Sequence, residues 1–420
     1  MKRANVWLSW PLLAGGLLVS CDTKSQAYCT QHPEDIAVCG MPDASSMLCT
    51  SSAECAPKVC DLTGSMVCVQ CTTAEPAACT GAMPICLSNA CQKCTTHGQC
   101  PSVACLPDGS CAAEPTVAYL DPAGTDNAIC SKAMPCTKLT KALATSRPYV
   151  KFNGTTNDHV SILNQNVTLL AEPGARLVAD GDSLPLDVTG SSQVAIYDLE
   201  ISGGSPVFGS PGLNVSGGTT ATVLVVRGKL TGNGGAGVLV RSGSLTISQS
   251  TITGNTGPGV QIIGSVTFDI TNSVITNNGT STNGGVRLGG IAGAGTHRVD
   301  FNTISSNVGP GIYCESIAAP LTFANDIVFG NSVTGGQTQI FGSANCAASY
   351  SDVGPDAAIG VGNINAVPNF VNAVQGNYHL AAGSPCKDAA DPSANLAVDF
   401  DGDARPQGAA RDIGADEIKP

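Results

Sequence analysis

An all-β solenoid is the fold class this sequence predicts, and three observations predict it. The first is a repeat. From about Val194 to Phe341 a segment of 22 to 29 residues recurs six times, and a period of that size marks stacked supersecondary units. The second is composition. Charged residues make up only 12% of the chain and glycines number 49, which suits short strands and tight turns and argues against a helical protein. The third is alternation: apolar residues recur two apart inside each copy, as on one face of a strand.

The copies align residue by residue. Val194, Val223, Leu245, Phe268 and Leu321 occupy one inward position. Ile196, Val225, Ile247, Ile270, Val299 and Phe323 occupy the next, two residues on. Ile201, Leu230, Ile252, Ile275, Ile304 and Val328 form a further stack. Three residues later stand Asn233, Asn255, Asn278, Asn307 and Asn331. A turn asparagine repeated in every coil predicts an amide ladder, and asparagine also tolerates left-handed backbone. Gly237, Gly259, Gly285 and Gly311 then open the next strand. Coils of this size, about 4.8 Å apart, make a right-handed parallel β-helix.

The rest of the chain divides around that solenoid. Residues 1–20 are expected to be a signal peptide, with Lys2 and Arg3 as the positive start and Val6 to Leu18 as the apolar stretch. It ends in Leu18-Val19-Ser20-Cys21, which resembles a bacterial lipobox. That resemblance implies cleavage before Cys21, its lipidation and acylation (palmitate-type chains), and a membrane partner through the anchor. The alternative is an ordinary secretory signal with Cys21 in a disulfide. The expected location is the outer membrane or cell surface. Net charge is −12, and losing Lys2 and Arg3 makes the mature chain more negative still, which argues against nucleic acid as a partner.

Residues 21–115 are expected to be a disulfide-rich repeat module. Fourteen of the 20 cysteines lie between Cys29 and Cys111. Cys49, Cys55, Cys60 and Cys68 form one set; Cys71, Cys79, Cys86 and Cys91 a second; Cys94, Cys100, Cys105 and Cys111 a third. Cys29 and Cys39 precede them. An even count in an exported segment with few large apolar residues implies cross-links in place of a core. The rival reading is zinc, because Cys68-x2-Cys71 and Cys91-x2-Cys94 have ribbon spacing; junctions between repeats explain those pairs as well. Cys130 and Cys136 should close a small loop. Of the remaining three, Cys314 with Cys346 is the expected pair and Cys386 the thiol left over, buried and inert.

Residues 116–345 are assigned to the β-helix with an N-terminal cap, and 346–420 to a C-terminal extension or cap. Here a resemblance adds to the pattern. The coils resemble the pectin-lyase-like superfamily of right-handed parallel β-helices, and Tyr119-Leu-Asp-Pro-Ala-Gly-Thr-Asp126 with Pro135-Cys-Thr-Lys-Leu-Thr-Lys-Ala142 resembles the strand-and-helix entry of such domains. The resemblance implies a helix near Thr140 to Thr145 capping the first coil. Tyr378-His-Leu, Gly383-Ser-Pro-Cys-Lys-Asp388, Asp399-Phe-Asp-Gly-Asp-Ala-Arg-Pro406 and Asp412-Ile-Gly-Ala-Asp-Glu417 resemble the C-terminal segment of bacterial surface proteins of the choice-of-anchor type.

The superfamily resembled includes polysaccharide lyases and glycosidases, so a catalytic site has to be looked for. The Asn-Thr-Asp, Asp-Asp, Gly-His-Gly and Arg-Ile-Lys strings of polygalacturonase-like members are absent from the sequence. Arg227 and Lys229 align with Asp198 and Glu200 one coil earlier, as a base-plus-metal site or, more simply, as salt bridges between coils. His297 lies beside Arg298 and Asp300, as a general base or, since it aligns with an inward apolar position, as a packed histidine. No catalytic residue is therefore assigned beyond the weak candidates Arg227, Lys229 and His297. Asp399, Asp401 and Asp403, at alternate positions around Gly402, suit Ca²⁺; otherwise they form a capping turn neutralised by Arg405 and Arg411. No other cofactor is expected. The reading that results is a surface lipoprotein whose β-helix binds carbohydrate or serves display without catalysis. A polysaccharide lyase or hydrolase is the first rival, and a protein-interaction module in the cysteine repeats the second. Oligomeric state is open.

Overall fold

A computed structural model describes residues 48–419, apart from 219, 281–283, 292–294, 334, 336 and 356–359. The expected signal peptide, Cys21, Cys29 and Cys39 lie outside the described residues. Two compact units are present. One comprises Cys94 and the described residues before it, with Asp108–Ser110; the other comprises Thr95–Pro107 and the chain from Cys111 onward. The third cysteine set is thus divided, with most of it in the larger unit.

The smaller unit is held by cystines. Its strands are two or three residues long: Val59–Cys60 pairs with Cys68–Val69, and Ile85–Leu87 with Ala90–Gln92, both antiparallel. Cys49 bonds to Cys60 and Cys55 to Cys68; Cys71 bonds to Cys86 and Cys79 to Cys91. First-to-third and second-to-fourth pairing therefore repeats in both sets. Cys68, Cys71 and Cys91 of the zinc-like spacings are all in disulfides.

The larger unit is a parallel solenoid of three sheets, with ten, nine and eight strands. The ten-stranded sheet begins at Val117–Leu120 and ends at Cys346–Ser349; the nine-stranded sheet runs from Thr155–Asp158 to Asp352–Gly354; the eight-stranded sheet runs from Val160–Leu163 to Ile340–Gly342. The aligned apolar positions are in register: Val194, Val223, Leu245 and Phe268 follow one another through paired strands, as do Ile201, Leu230, Ile252, Ile275, Ile304 and Val328. They form one continuous buried core. Among the described residues the one α-helix, Leu139–Ala144, buries Leu139, Ala142 and Leu143 on the first coils.

Each turn carries its own device. Asn233, Asn255, Asn278, Asn307 and Asn331 form a buried ladder in which each Nδ2 donates to the next Oδ1 at 2.8–3.0 Å, and Gln339 Oε1 receives the last at 2.7 Å. The left-handed residue is not the ladder asparagine itself but the one before it: Gly232, Gly254, Asn277, Ser306 and Gly330 have positive φ. This corrects the expectation of left-handed backbone at the asparagines themselves. Gly259 is required by close approach. A Cβ there would lie 2.6 Å from Ile275 Cγ2 and 2.8 Å from the Gly285 carbonyl oxygen.

The C-terminal residues do more than close the last coil. Asn363 and Ile364 join its turn, and the chain then returns along the flank of the nine-stranded sheet. Gly414 N–H donates to the Asn325 carbonyl at 2.8 Å, and Asn272 Nδ2 donates to the Val398 carbonyl at 2.6 Å. Phe301 and Ile327 are covered there by Leu380, Cys386, Ala390, Ile413 and Ile418.

Candidate functional site

The charged candidates on the coils are held in ion pairs between rungs. Arg227 meets Asp198 through two bonds, at 2.6 and 2.8 Å. Glu200 lies between Arg176 at 2.8 Å and Lys229 at 3.1 Å. Each cation thus faces a carboxylate one coil away, the arrangement expected of solvent-side pairs. His297 stacks beside Phe268, 5.1 Å between ring centroids, and its Nε2 is 3.1 Å from the Val266 carbonyl oxygen.

The three aspartates near the C-terminus have different tasks. Asp399 is fully buried, and its two oxygens accept the backbone N–H groups of Asp401, Asp403 and Glu417 at 2.8–3.1 Å. Burial raises its carboxyl above the ordinary value, and the Asp403 and Glu417 amides oppose that shift. Asp403 pairs with Lys419 at 2.7 Å. Asp401 meets His379 Nε2 at 2.8 Å, while one oxygen of each of the three aspartates lies within 4.8 Å of the others. Of the two arginines expected to neutralise the aspartates, Arg405 acts on Asp399 through its charge, and each has other direct partners. Arg405 is buried against Glu417 at 3.0 Å and over the Phe301 ring at 4.7 Å, and Arg411 Nε donates to the Leu396 carbonyl at 2.9 Å. The carboxylates of this segment mostly order loops by receiving amides: Asp412 receives Asp388 and Ile418, and Glu417 receives Gln407 and Asp412.

Cys314 bonds to Cys346, Cys130 to Cys136 and Cys100 to Cys111. Cys386 is a free, buried thiol that donates to Asp352 Oδ2 at 3.3 Å. Burial pushes the thiol well up, and it raises the Asp352 carboxyl to about 6. Such a thiol lacks the thiolate character that reactivity needs.

A groove of about 420 Å³ lies on the outer face of the ten-stranded sheet. Period-two alternation puts two outward rows there. Asn166, Gln193, Thr222 and Ser244 form one, and Thr168, Ala195, Leu224 and Thr246 the other, all in parallel register. Tyr149 stands at the first coil. On the next coils Asp269 and Asp300 flank Arg298, at 3.8 and 2.7 Å. The sequence reading sets Arg298 beside Asp300 but misses Asp269, which the strand alignment places opposite Arg298. A second and smaller cleft, of about 190 Å³, lies where the returning C-terminal segment meets the nine-stranded sheet; Thr251, Thr253, Thr276, Tyr378, His379 and Phe400 line it.

Residues 186–353 match the family described as the right handed beta helix region. The solenoid is a right-handed parallel β-helix. The pectin-lyase-like reading of the sequence holds at the level of this fold. Among solved structures the chain is similar to a pectate lyase, Pel9A, with a TM-score of 0.49 and 16% identity over 73% of this chain and 100% of that one. It is also similar to a pectin methylesterase mutant in complex with a hexasaccharide, with a TM-score of 0.36 and 13% identity over 63% of this chain and 98% of that one. No curated protein matches the chain.

Proposed function

We propose that this protein is exported to a bacterial surface, anchored by lipid at Cys21, and binds an uncharged polysaccharide along the outer face of its β-helix. The observation that carries the reading is the groove on the ten-stranded sheet. Its rows repeat amide and hydroxyl groups at the strand spacing of about 4.8 Å, over an apolar floor of Ala195 and Leu224 with Tyr149 at one end. A polymer lying along the helix axis would meet one amide or hydroxyl group of the first row at each of these rungs. Few precisely placed polar groups over an apolar floor is the usual make-up of a ligand site.

The test is a glycan screen with the purified protein, following binding and the release of unsaturated or reducing ends together. Leu224→Arg puts charge and bulk on the groove floor without touching the core, so affinity should fall by about tenfold or more while the melting temperature stays put. Unchanged affinity in that variant would remove the groove from the proposal. The enzymatic rival has one specific support, the Asp269–Arg298–Asp300 group. Product release that is lost in Asp269→Asn would replace binding by catalysis.

A further inference from the structure

We propose that His379, Asp401 and Asp416 form an open site for a divalent transition-metal ion of the zinc or manganese class. The three come from separate parts of the C-terminal segment: the strand Asn377–Leu380, the turn around Gly402, and the run before Ile418. Their ligating atoms all lie within 4.8 Å of one another.

The hydrogen bonds around His379 point to a cation. Asn377 Oδ1 accepts the backbone N–H of His379 at 3.1 Å, so that atom is the oxygen of the amide. The same oxygen lies 2.6 Å from His379 Nδ1, which must therefore carry the ring proton. The lone pair of Nε2 is then directed at Asp401 Oδ2, 2.8 Å away. Two acceptors this close need a cation between them, or a second proton on the ring. A histidine that donates one nitrogen to a fixed oxygen and presents the other is the arrangement of a metal ligand with its outer partner in place. Bond lengths of about 2.0–2.2 Å to nitrogen and carboxylate oxygen fit the gap with a small opening of the pair.

Asp416 completes the set. It is 8% exposed, and one of its oxygens accepts the Leu380 N–H at 2.7 Å, which holds the carboxylate in place beside the strand that bears His379. The other oxygen is left for a ligand. One imidazole with two carboxylates favours zinc or manganese over calcium, which prefers oxygen alone. The Asp399–Asp401–Asp403 trio is a poorer cage, because Asp399 is committed to three backbone amides and Asp403 to Lys419. His379 and Asp416 line the cleft with Thr251, Thr253, Thr276, Tyr378 and Phe400, and His379 and Asp401 are both partly exposed, so solvent reaches the site. An open position of this kind takes water or an oxygen-bearing ligand.

The protein, purified without reductant and stripped of metal, is dialysed against Zn²⁺, Mn²⁺ or Ca²⁺, and bound metal and melting temperature are measured. One equivalent of Zn²⁺ or Mn²⁺ should bind and raise the melting temperature, because the ion joins three parts of the segment. His379→Gln and Asp401→Asn should each abolish the rise, and Asn377→Ala should weaken binding by about 10- to 100-fold through the loss of the outer partner. His379→Gln leaves the amides held by Asp399, Asp412 and Asp416 untouched, so its folding is not at issue. Absence of stoichiometric uptake overturns the site. Uptake of Zn²⁺ or Mn²⁺ undiminished in His379→Gln overturns it as well, as does a Ca²⁺ preference shared by wild type and variant, which would move the ion to Asp399–Asp403.

Discussion

Asn278 concentrates the cost of a polar interior in one side chain. Its Nδ2 donates to the Ile252 and Thr276 carbonyls and to Asn307 Oδ1 at 2.8–3.0 Å, and its Oδ1 receives the backbone and side-chain amides of Asn255. Removing it breaks the ladder and leaves the buried Asn255 backbone N–H without its acceptor, and Asn278→Ala should lower unfolding stability by about 3 kcal/mol. Arg227→Ala removes a half-exposed pair and should cost no more than about 1 kcal/mol. Urea midpoints of the two variants give the comparison; equal losses would contradict the ladder's role. Asp352 shows a different kind of burial. Desolvation raises its carboxyl from 3.8 to about 6 in the fold. The folded state thus holds the proton more tightly than the unfolded chain. The associated stability is fully present below about pH 4 and is lost as pH rises through about 6. At about 1.4 kcal/mol per pH unit, the term is at most about 3 kcal/mol between pH 4 and 7. Asp352→Asn should flatten that part of the stability profile and leave the protein no less stable at pH 7; an unchanged profile would assign the dependence elsewhere, Asp412 first, since burial raises it to about 6 too.

The two units obtain their order differently at the level of elements. A strand such as Val59–Cys60 has two residues and no sheet beyond its partner. The four cystines described there close loops with sequence separations of 11 to 15 residues, worth about 3 kcal/mol each when the unfolded chain is constrained. The β-helix, in contrast, buries a continuous apolar stack from Ala118 to Val328. Mild reduction under native conditions should therefore open the segment before Cys94 to protease while coils 150–330 stay resistant. Simultaneous loss of both would show that the β-helix depends on its cystines. A second ladder reinforces the coils at the other turn: the backbone N–H groups of Ser250, Ser273, Asn302 and Asp326 donate to the side-chain oxygens of Ser273, Asn302, Asp326 and Ser351 at 2.7–3.2 Å.

On the β-helix Arg227, Lys229 and Arg287 pair with carboxylates of neighbouring rungs, and uncharged polar rows lie on the outer face of the ten-stranded sheet from Asn166 to Thr246. That distribution suits attachment to a neutral polymer better than electrostatic steering. The proposed anchor places the protein where such polymers lie. Cys21→Ala should abolish labelling by radioactive palmitate and move the protein from the membrane fraction to the soluble one. Retention of both the label and the membrane association would remove the anchor from the proposal.

By itself the sequence determined the solenoid. Val194, Ile201 and Asn233 recur at a fixed spacing, and a repeated spacing can satisfy itself only by stacking, so the core and the amide ladder were legible before any coordinates. The second ladder was not, because its positions are filled by Ser, Asn and Asp in turn and share a hydrogen-bond role rather than a residue type. The left-handed turn positions were displaced by one for a similar reason: side chain and backbone demands fall on neighbouring residues. Only the tertiary structure decided the partners in the C-terminal segment. Asp399, Asp401 and Asp403 look equivalent in the sequence, yet one orders a turn, one meets His379 and one meets Lys419. Local alternation says which face a side chain takes along a strand; it says nothing about which distant loop returns to that face, and the cleft at Tyr378 and Phe400 exists because the chain folds back over coils that precede it by more than 100 residues.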